Sequence, residues 1–122
     1  MAQVQVTSLT KRYQSFLALD GIDLNADHGE LVSLLGPSGC GKSTTLRLIA
    51  GFLEPTGGDI RVDGRSIVKL PTNRRDFGVV FQNYALFPHM TVAQNVGYGL
   101  IFRKISAAEA KRKIAGALDL VQ

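Results

Sequence analysis

The 122 residues, 45% hydrophobic and 20% charged, have the composition of one modest globular domain. No run approaches the roughly 18 consecutive apolar residues of a membrane span, the start lacks a basic segment followed by an apolar run, and the single cysteine, Cys40, excludes an internal disulfide. The net charge of +4 is spread over Lys11-Arg12, Arg74-Arg75 and the stretch from Arg103 to Lys113 without a block of like charge, the pattern of solvated faces and not of a nucleic-acid surface.

Val4, Val6 and Leu9 open an alternating apolar pattern that predicts a short strand, and Leu17 to Leu24 predicts a second after a turn. Glu30 to Leu35 is a mostly apolar run of strand length that stops at Gly36, as a buried strand would. A helix is predicted over Lys42 to Ala50, with Leu46, Ile49 and Ala50 on one face and Gly51 as its stop. Glu54 to Gly58 predicts a turn or loop. Asp59 to Val62 predicts a short strand, with Asp63-Gly64 as a hairpin turn before Arg65 to Val68.

Phe77 to Phe81 is a further candidate for a buried strand, and Pro88 disfavours helix across Asn83 to Met90. Thr91 with Gln94 forms a capping box, so a helix is expected over about the next nine residues. Ser106 with Glu109 repeats the device before a last helix striped with Ala110, Ile114, Ala117, Leu118 and Val121. That helix is still amphipathic at Gln122, so the chain is expected to be the front part of a longer protein, with Ile114, Leu118 and Val121 uncovered.

Gly36-Pro-Ser-Gly-Cys-Gly-Lys-Ser43 fits the P-loop pattern G-x-x-x-x-G-K-[ST], after a predicted buried strand and at the start of a predicted helix, the context that pattern requires. Glycines leave room for phosphate oxygens against the backbone, and successive N–H groups then form an anion nest at the positive end of the helix. The expected binding set for ATP is Gly36, Pro37, Ser38, Gly39, Cys40, Gly41, Lys42, Ser43 and Thr44. Lys42 is placed to reach the β- and γ-phosphates and Ser43 to ligate Mg²⁺. Cys40, inside the nest and beside Lys42, is expected to be a reactive thiol that bound phosphates would cover. Gly39-x-Gly41 is not a dinucleotide fingerprint, because Thr44 stands where its third glycine belongs.

The P-loop with its continuation to Gly51, followed by Pro55-Thr-Gly-Gly-Asp-Ile60, resembles the ATP-binding subunits of ABC transporters. Val79-Val-Phe-Gln-Asn-Tyr-Ala-Leu-Phe-Pro-His-Met-Thr-Val-Ala-Gln-Asn-Val96 is similar to the Q-loop segment of the same family. The resemblance covers essentially the whole chain and is closest to importer subunits serving sugars, polyamines, iron or sulfate.

The resemblance implies an α/β fold: a P-loop NTPase core with an antiparallel β-subdomain, and a helical subdomain that begins about residue 91 and is incomplete. It implies that Tyr13 stacks on adenine, a contact worth about 1–3 kcal/mol by analogy with base–aromatic stacking, with a turn aromatic packed on the core as the alternative. It implies that Gln82 approaches Mg²⁺ and the attacking water, so that Lys42 and Gln82 are its catalytic residues here and Ser43 and Gln82 its metal-facing ones. It also implies a homodimer of ATPase subunits in the parent. Membrane-spanning permease subunits would dock near Tyr84 to His89, where plain core packing of Leu86 and Phe87 is the alternative. The implied location is cytoplasmic, peripheral on the inner face of the cell membrane. His28 and His89 are expected to be loop residues.

This sequence departs from the family pattern in three places. An apolar strand ending in Asp-Glu, the LSGGQ signature and a switch histidine do not occur in these residues. Asp20, Asp63 and Asp119 each follow too few apolar residues to serve as the first, and Gly57-Gly58 lies in a predicted turn. A nucleotide-binding module without enzymatic activity of its own is therefore the second reading. A P-loop kinase or small GTPase is disfavoured, since neither an acceptor-site motif nor Asn-Lys-x-Asp occurs.

Overall fold

The computed structural model describes residues 2–121; Met1 and Gln122, the two ends of the predicted 1–122 domain, lie outside the described residues. The chain forms two compact units, one running to Val79 and one from Val80. In the first, β1 (Val4–Tyr13) turns at Gln14-Ser15 into β2 (Phe16–Ala26), and β3 (Gly57–Val62) turns at Asp63-Gly64 into β4 (Arg65–Ser66). The four strands form one antiparallel sheet in the order β2-β1-β3-β4.

The odd apolar spacing of Val6 and Leu9 has a structural cause. Both are buried, although residues three apart on a regular strand face opposite sides. Between them β1 carries one extra residue against both neighbours, since Val6 pairs with Leu24 and Leu9 with Ile22 on one side, while Thr7 pairs with Asp59 and Thr10 with Gly57 on the other. This bulge puts Ser8 at φ 49° and returns Leu9 to the core face. The Ser8 N–H donates to the Asp23 carboxylate at 2.7 Å. Gly58 sits opposite, where a Cβ would lie 2.4 Å from the Ser8 carbonyl oxygen, so the bulge requires glycine there. Gly57 and Gly58 accordingly begin β3 and do not form a loop.

Helix α1 (Lys42–Ala50) matches its predicted bounds. Its buried face is Thr45, Leu48 and Ala50, with Ile49 half-buried, whereas Leu46 is 58% exposed, contrary to expectation. Leu48 is completely enclosed, as are Leu9 and Ile60 of the sheet, and Val6, Leu19 and Ile67 complete the core. Burying each such side chain contributes about 1.5–3 kcal/mol. The helix ends at Gly51 (φ 84°) in a Schellman pattern, with the Phe52 N–H donating to the Arg47 carbonyl at 2.9 Å.

Beyond β4 the chain returns to this helix end. Thr72 Oγ1 donates to the Gly51 carbonyl at 2.7 Å. Arg75, 6% exposed, donates from Nη1 to the carbonyls of Leu48 (2.8 Å) and Ile49 (2.9 Å), from Nε to Leu70 (2.8 Å) and from Nη2 to Val68 (3.0 Å). Burial lowers the pKa of this guanidinium from its ordinary value.

Two expected buried strands do not form. Residues 30–35 and 77–81 lack ladder pairing; Leu31 and Leu35 are each 92% exposed and Val80 is 87% exposed. A buried parallel strand needs neighbours to satisfy its backbone, and among the described residues no parallel strand pairs with either segment.

In the second unit, Thr91 and Gln94 make the expected reciprocal capping box ahead of α2 (Val92–Gly97), which tightens into a 3₁₀ turn over Tyr98–Leu100. Ser106 Oγ accepts from the Glu109 N–H at the start of α3 (Ala107–Asp119). Ile114 is not uncovered, as the stripe alone suggests: it packs over Gly97, where a Cβ would lie 2.5 Å from its Cδ1. Leu118 is half-buried and Val121 is exposed. Among the described residues no helix is long and apolar enough to cross a membrane.

Asp59 ties β3 to β4. Hydrogen bonds from Ser66 and then Arg61 hold its carboxyl below the ordinary carboxylate value. A depressed pKa stabilises the fold fully above the unfolded value and loses that contribution as pH falls through the folded one. Urea midpoints measured from about pH 7 down to about pH 2 are therefore expected to fall more steeply in the wild type than in Asp59→Asn. Parallel acid limbs would show that the Asp59 carboxylate does not carry this linkage.

Candidate functional site

The loop from Gly36 to Ser43 joins the extended segment 30–35 to α1. Three of its glycines hold positive φ: Gly36 at 152°, Gly39 at 84° and Gly41 at 97°. Gly41 is the residue before the helix, and its left-handed backbone supplies no capping side chain. The first helical bond runs from the Thr45 N–H to the Gly41 carbonyl at 2.8 Å, and buried Thr45 Oγ1 donates to the same oxygen at 3.0 Å. The amides of the first turn thus meet no side-chain cap, which is the arrangement that receives anions at helix N-termini.

Gly41 also fixes where the loop sits. A Cβ there would lie 2.5 Å from Leu19 Cδ2 and 3.2 Å from the Ala18 carbonyl, so the loop rests directly on β2. A Cβ on Gly36 would meet Cys40 Sγ at 2.8 Å, whereas one on Gly39 would meet nothing within 4 Å. Pro37, Ser38 and Ser43 are exposed and Thr44 is half-buried. Cys40 is a free, exposed thiol whose N–H donates to the Pro37 carbonyl at 3.4 Å.

Lys42 is turned onto its own loop. Its ammonium donates to the carbonyls of Gly36 (2.7 Å) and Pro37 (2.6 Å) and lies 3.4 Å from Cys40 Sγ. The charge expected to face phosphates therefore closes a ring with the first two residues of the motif. These acceptors are neutral, and phosphate oxygens make stronger, charge-assisted bonds to an ammonium.

Tyr13 ends β1 at the tip of the hairpin, paired with Phe16 and 44% exposed. Lys11 Nζ stands 4.9 Å from its ring centroid, a cation–π contact, while donating to the Glu54 carbonyl at 2.7 Å. The hairpin that carries Tyr13 is thus the one whose other strand seats Gly41. Tyr13 and the loop belong to the first unit.

Gln82 belongs to the second unit, exposed in the turn that follows Phe81. The strand expected to end at it does not form. Tyr84 and Ala85 are consecutive left-handed residues (φ 58° and 48°), a costly state for side chains with a Cβ. Tyr84 and Leu86 are 77% and 70% exposed, so core packing does not account for Leu86. Phe87 instead stacks near Tyr98, with centroids 4.5 Å apart.

Two residues shape these segments without any local sequence pattern to mark them. One is Arg75. The other is Asn95, whose amide donates to the carbonyls of Phe87, Met90 and Thr91 and accepts from the Phe87 N–H at 2.8 Å, pinning the apolar loop.

A family model described as ABC transporter matches residues 19–122. The chain belongs to that family. Among ABC relatives, the spermidine/putrescine import ATP-binding protein PotA of Thermobifida fusca is 50% identical over 98% of this chain and 32% of its own length. The Fe(3+) ions import ATP-binding protein FbpC of Brucella suis biovar 1 is 49% identical over 97% of this chain and 33% of its own length. The chain thus spans about a third of the curated relatives it matches. Among solved structures, the dimeric post-hydrolysis state of the ATP-binding cassette MJ0796 bound to ADP and Pi superposes with a TM-score of 0.84 at 32% identity, over 95% of this chain and 56% of that one. The fold is that of an ABC cassette, a P-loop NTPase with an antiparallel sheet.

The loop geometry separates strain from collision. Gly39→Ala adds backbone strain alone and is expected to cost about 1–2 kcal/mol. Gly41→Ala adds a collision with Leu19 and is expected to cost about 1–3 kcal/mol more. Urea midpoints of the two variants check the order, and equal losses would contradict the seating of Gly41 on β2.

Proposed function

We propose that this chain is the N-terminal part of an ABC-type nucleotide-binding domain, the helical subdomain beginning about residue 91, from the ATP-binding subunit of an importer. The observation that carries the reading is the glycine-opened loop leading into an uncapped α1 with Lys42 at its mouth. Gly36 to Thr44 wrap the phosphates of ATP, Lys42 exchanges its two carbonyl bonds for phosphate oxygens, and Tyr13 stacks on adenine.

One exposed hydroxyl, Ser43, fits Mg²⁺ carried in on the nucleotide, because Mg²⁺ keeps several waters and takes few protein ligands beside phosphates. When bound, the metal would neutralise phosphate charge. The resemblance gives Gln82 a role toward that ion and the attacking water, and in relaying nucleotide state toward membrane-spanning permease subunits, whose contact lies near Tyr84 to His89. In the parent, two subunits enclose ATP as a homodimer at the inner face of the cell membrane, in the cytoplasm, and hydrolysis to ADP and phosphate drives uptake. The relatives named for polyamine and for iron import are similarly close, so the proposal stops at the importer class.

Alone, these 122 residues bind ATP without turning it over. Phosphoryl transfer is catalysed by positioning and charge stabilisation, and the residues here include neither a carboxylate to position water nor signature donors for the γ-phosphate. Loss of one such group commonly costs about 10²–10³ in rate. The test is a phosphate-release assay beside ATP calorimetry on the same sample. Binding with negligible release, and loss of binding in Lys42→Ala, is the expected result. Steady release that Lys42→Ala abolishes would overturn the non-hydrolysing reading, and wild-type failure to bind would overturn the site.

Tyr13 is tested separately. Tyr13→Trp is expected to keep ATP affinity and Tyr13→Ala to lose about fivefold or more, the low end of base–aromatic stacking. Equal calorimetric affinities for all three proteins would remove Tyr13 from the site.

A further inference from the structure

Arg75 lies outside the phosphate loop, yet it is the only charged side chain among the buried residues described. Its guanidinium spends donors on four backbone carbonyls. Two of these, Leu48 and Ile49, belong to the last turn of α1, where the Leu48 carbonyl otherwise receives only the Gly51 N–H at 3.2 Å. The other two, Leu70 and Val68, belong to the segment that returns from β4. The fit is close: Gly51 is left-handed and a Cβ there would lie 2.6 Å from Arg75 Nε.

Helix α1 has only nine residues and one buried turn of contact with the sheet, through Thr45 and Leu48. A helix this short is marginal by itself. Its N-terminus is held by the resting of Gly41 on β2, and its C-terminus by Arg75. The positive charge of Arg75 also lies at the negative end of the helix, opposite the end that faces the loop.

We propose that Arg75 is a positioning residue for the phosphate loop: by gripping the C-terminal carbonyls of α1 it sets the alignment of the amides from Lys42 to Thr44 and thereby the affinity for polyphosphate. This rests on the reading of Gly36 to Ser43 as a phosphate site. A lysine cannot substitute, since one ammonium with three donors cannot span the forked set of acceptors that a planar guanidinium reaches.

The experiment uses the wild-type chain, Arg75→Met and Arg75→Lys, with two readouts taken well below the melting temperature. The first is calorimetric affinity for Mg-ATP and for pyrophosphate, a probe without the base. The second is hydrogen exchange, comparing the hydrogen-bonded amides 45–50 of α1 with those of Leu9 and Ile60. Both variants are expected to bind both probes more weakly, by about tenfold for methionine, a change of about 1.4 kcal/mol, and to exchange faster at 45–50 than the sheet does. Should Arg75→Met not fold, Arg75→Lys carries the comparison. A folded variant with wild-type affinity overturns the proposal. So does exchange that rises equally in helix and sheet, the mark of a general loss of stability. If the wild type binds neither probe, the phosphate-site reading fails, while the exchange comparison still decides what Arg75 aligns.

Discussion

The guanidinium of Arg75 inside the end of α1 is the interaction on which the first unit depends. Helix ends present carbonyls that must find donors, and burying them without donors costs far more than the bonds return in water. Here the backbone cap at Gly51 and Phe52 serves Arg47 and Leu48, and one side chain from 26 residues downstream of Ile49 adds donors to Leu48 and Ile49. It can do so only because Gly51 carries no Cβ and because Thr72 fastens the same turn from the other side. The helix is then free to leave its opposite end uncapped, which is where the chemistry of the loop lies.

The sheet performs a complementary task. Its bulge at Ser8 turns Leu9 inward to meet Leu48 and Ile60, and glycine at 58 makes the bulge sterically possible. Strand β2 in turn presents Leu19 and the Ala18 carbonyl as the floor under Gly41. A chain of contacts therefore runs from an irregularity in β1 to the glycine that opens the helix. Each step is a packing constraint, and each involves a residue that tolerates no extra carbon.

Much of this was legible in the sequence where the cause is local. The bounds of α1, the stop at Gly51, the turn at Asp63-Gly64 and the Thr91–Gln94 box follow from chemistry within a few residues. Legibility failed where the cause is distant. Apolar runs at 30–35 and 77–81 carry the composition of buried strands, yet a strand exists only by pairing, and the described residues offer neither segment a partner. Leu46 looked inward by spacing, but the sheet meets the helix on the side of Thr45 and Leu48. Arg75 and Asn95 act across the fold on backbone carbonyls, and a residue's identity does not announce that. Of the candidate site, the glycine-opened conformation of the loop was legible from its residues; the inward turn of Lys42 was not, because it depends on where two carbonyls happen to face.

That inward turn has a consequence for affinity. With its ammonium shared between the carbonyls of Gly36 and Pro37, the loop is its own competitor. Any anion that recruits Lys42 must first outbid two short bonds, so its apparent affinity is its intrinsic affinity scaled down by the fraction of molecules in which the lysine is released. A small, weakly charged anion offers one or two contacts and leaves the lysine where it is. Self-capture of the lysine is thus a fixed cost common to every anion that must recruit it.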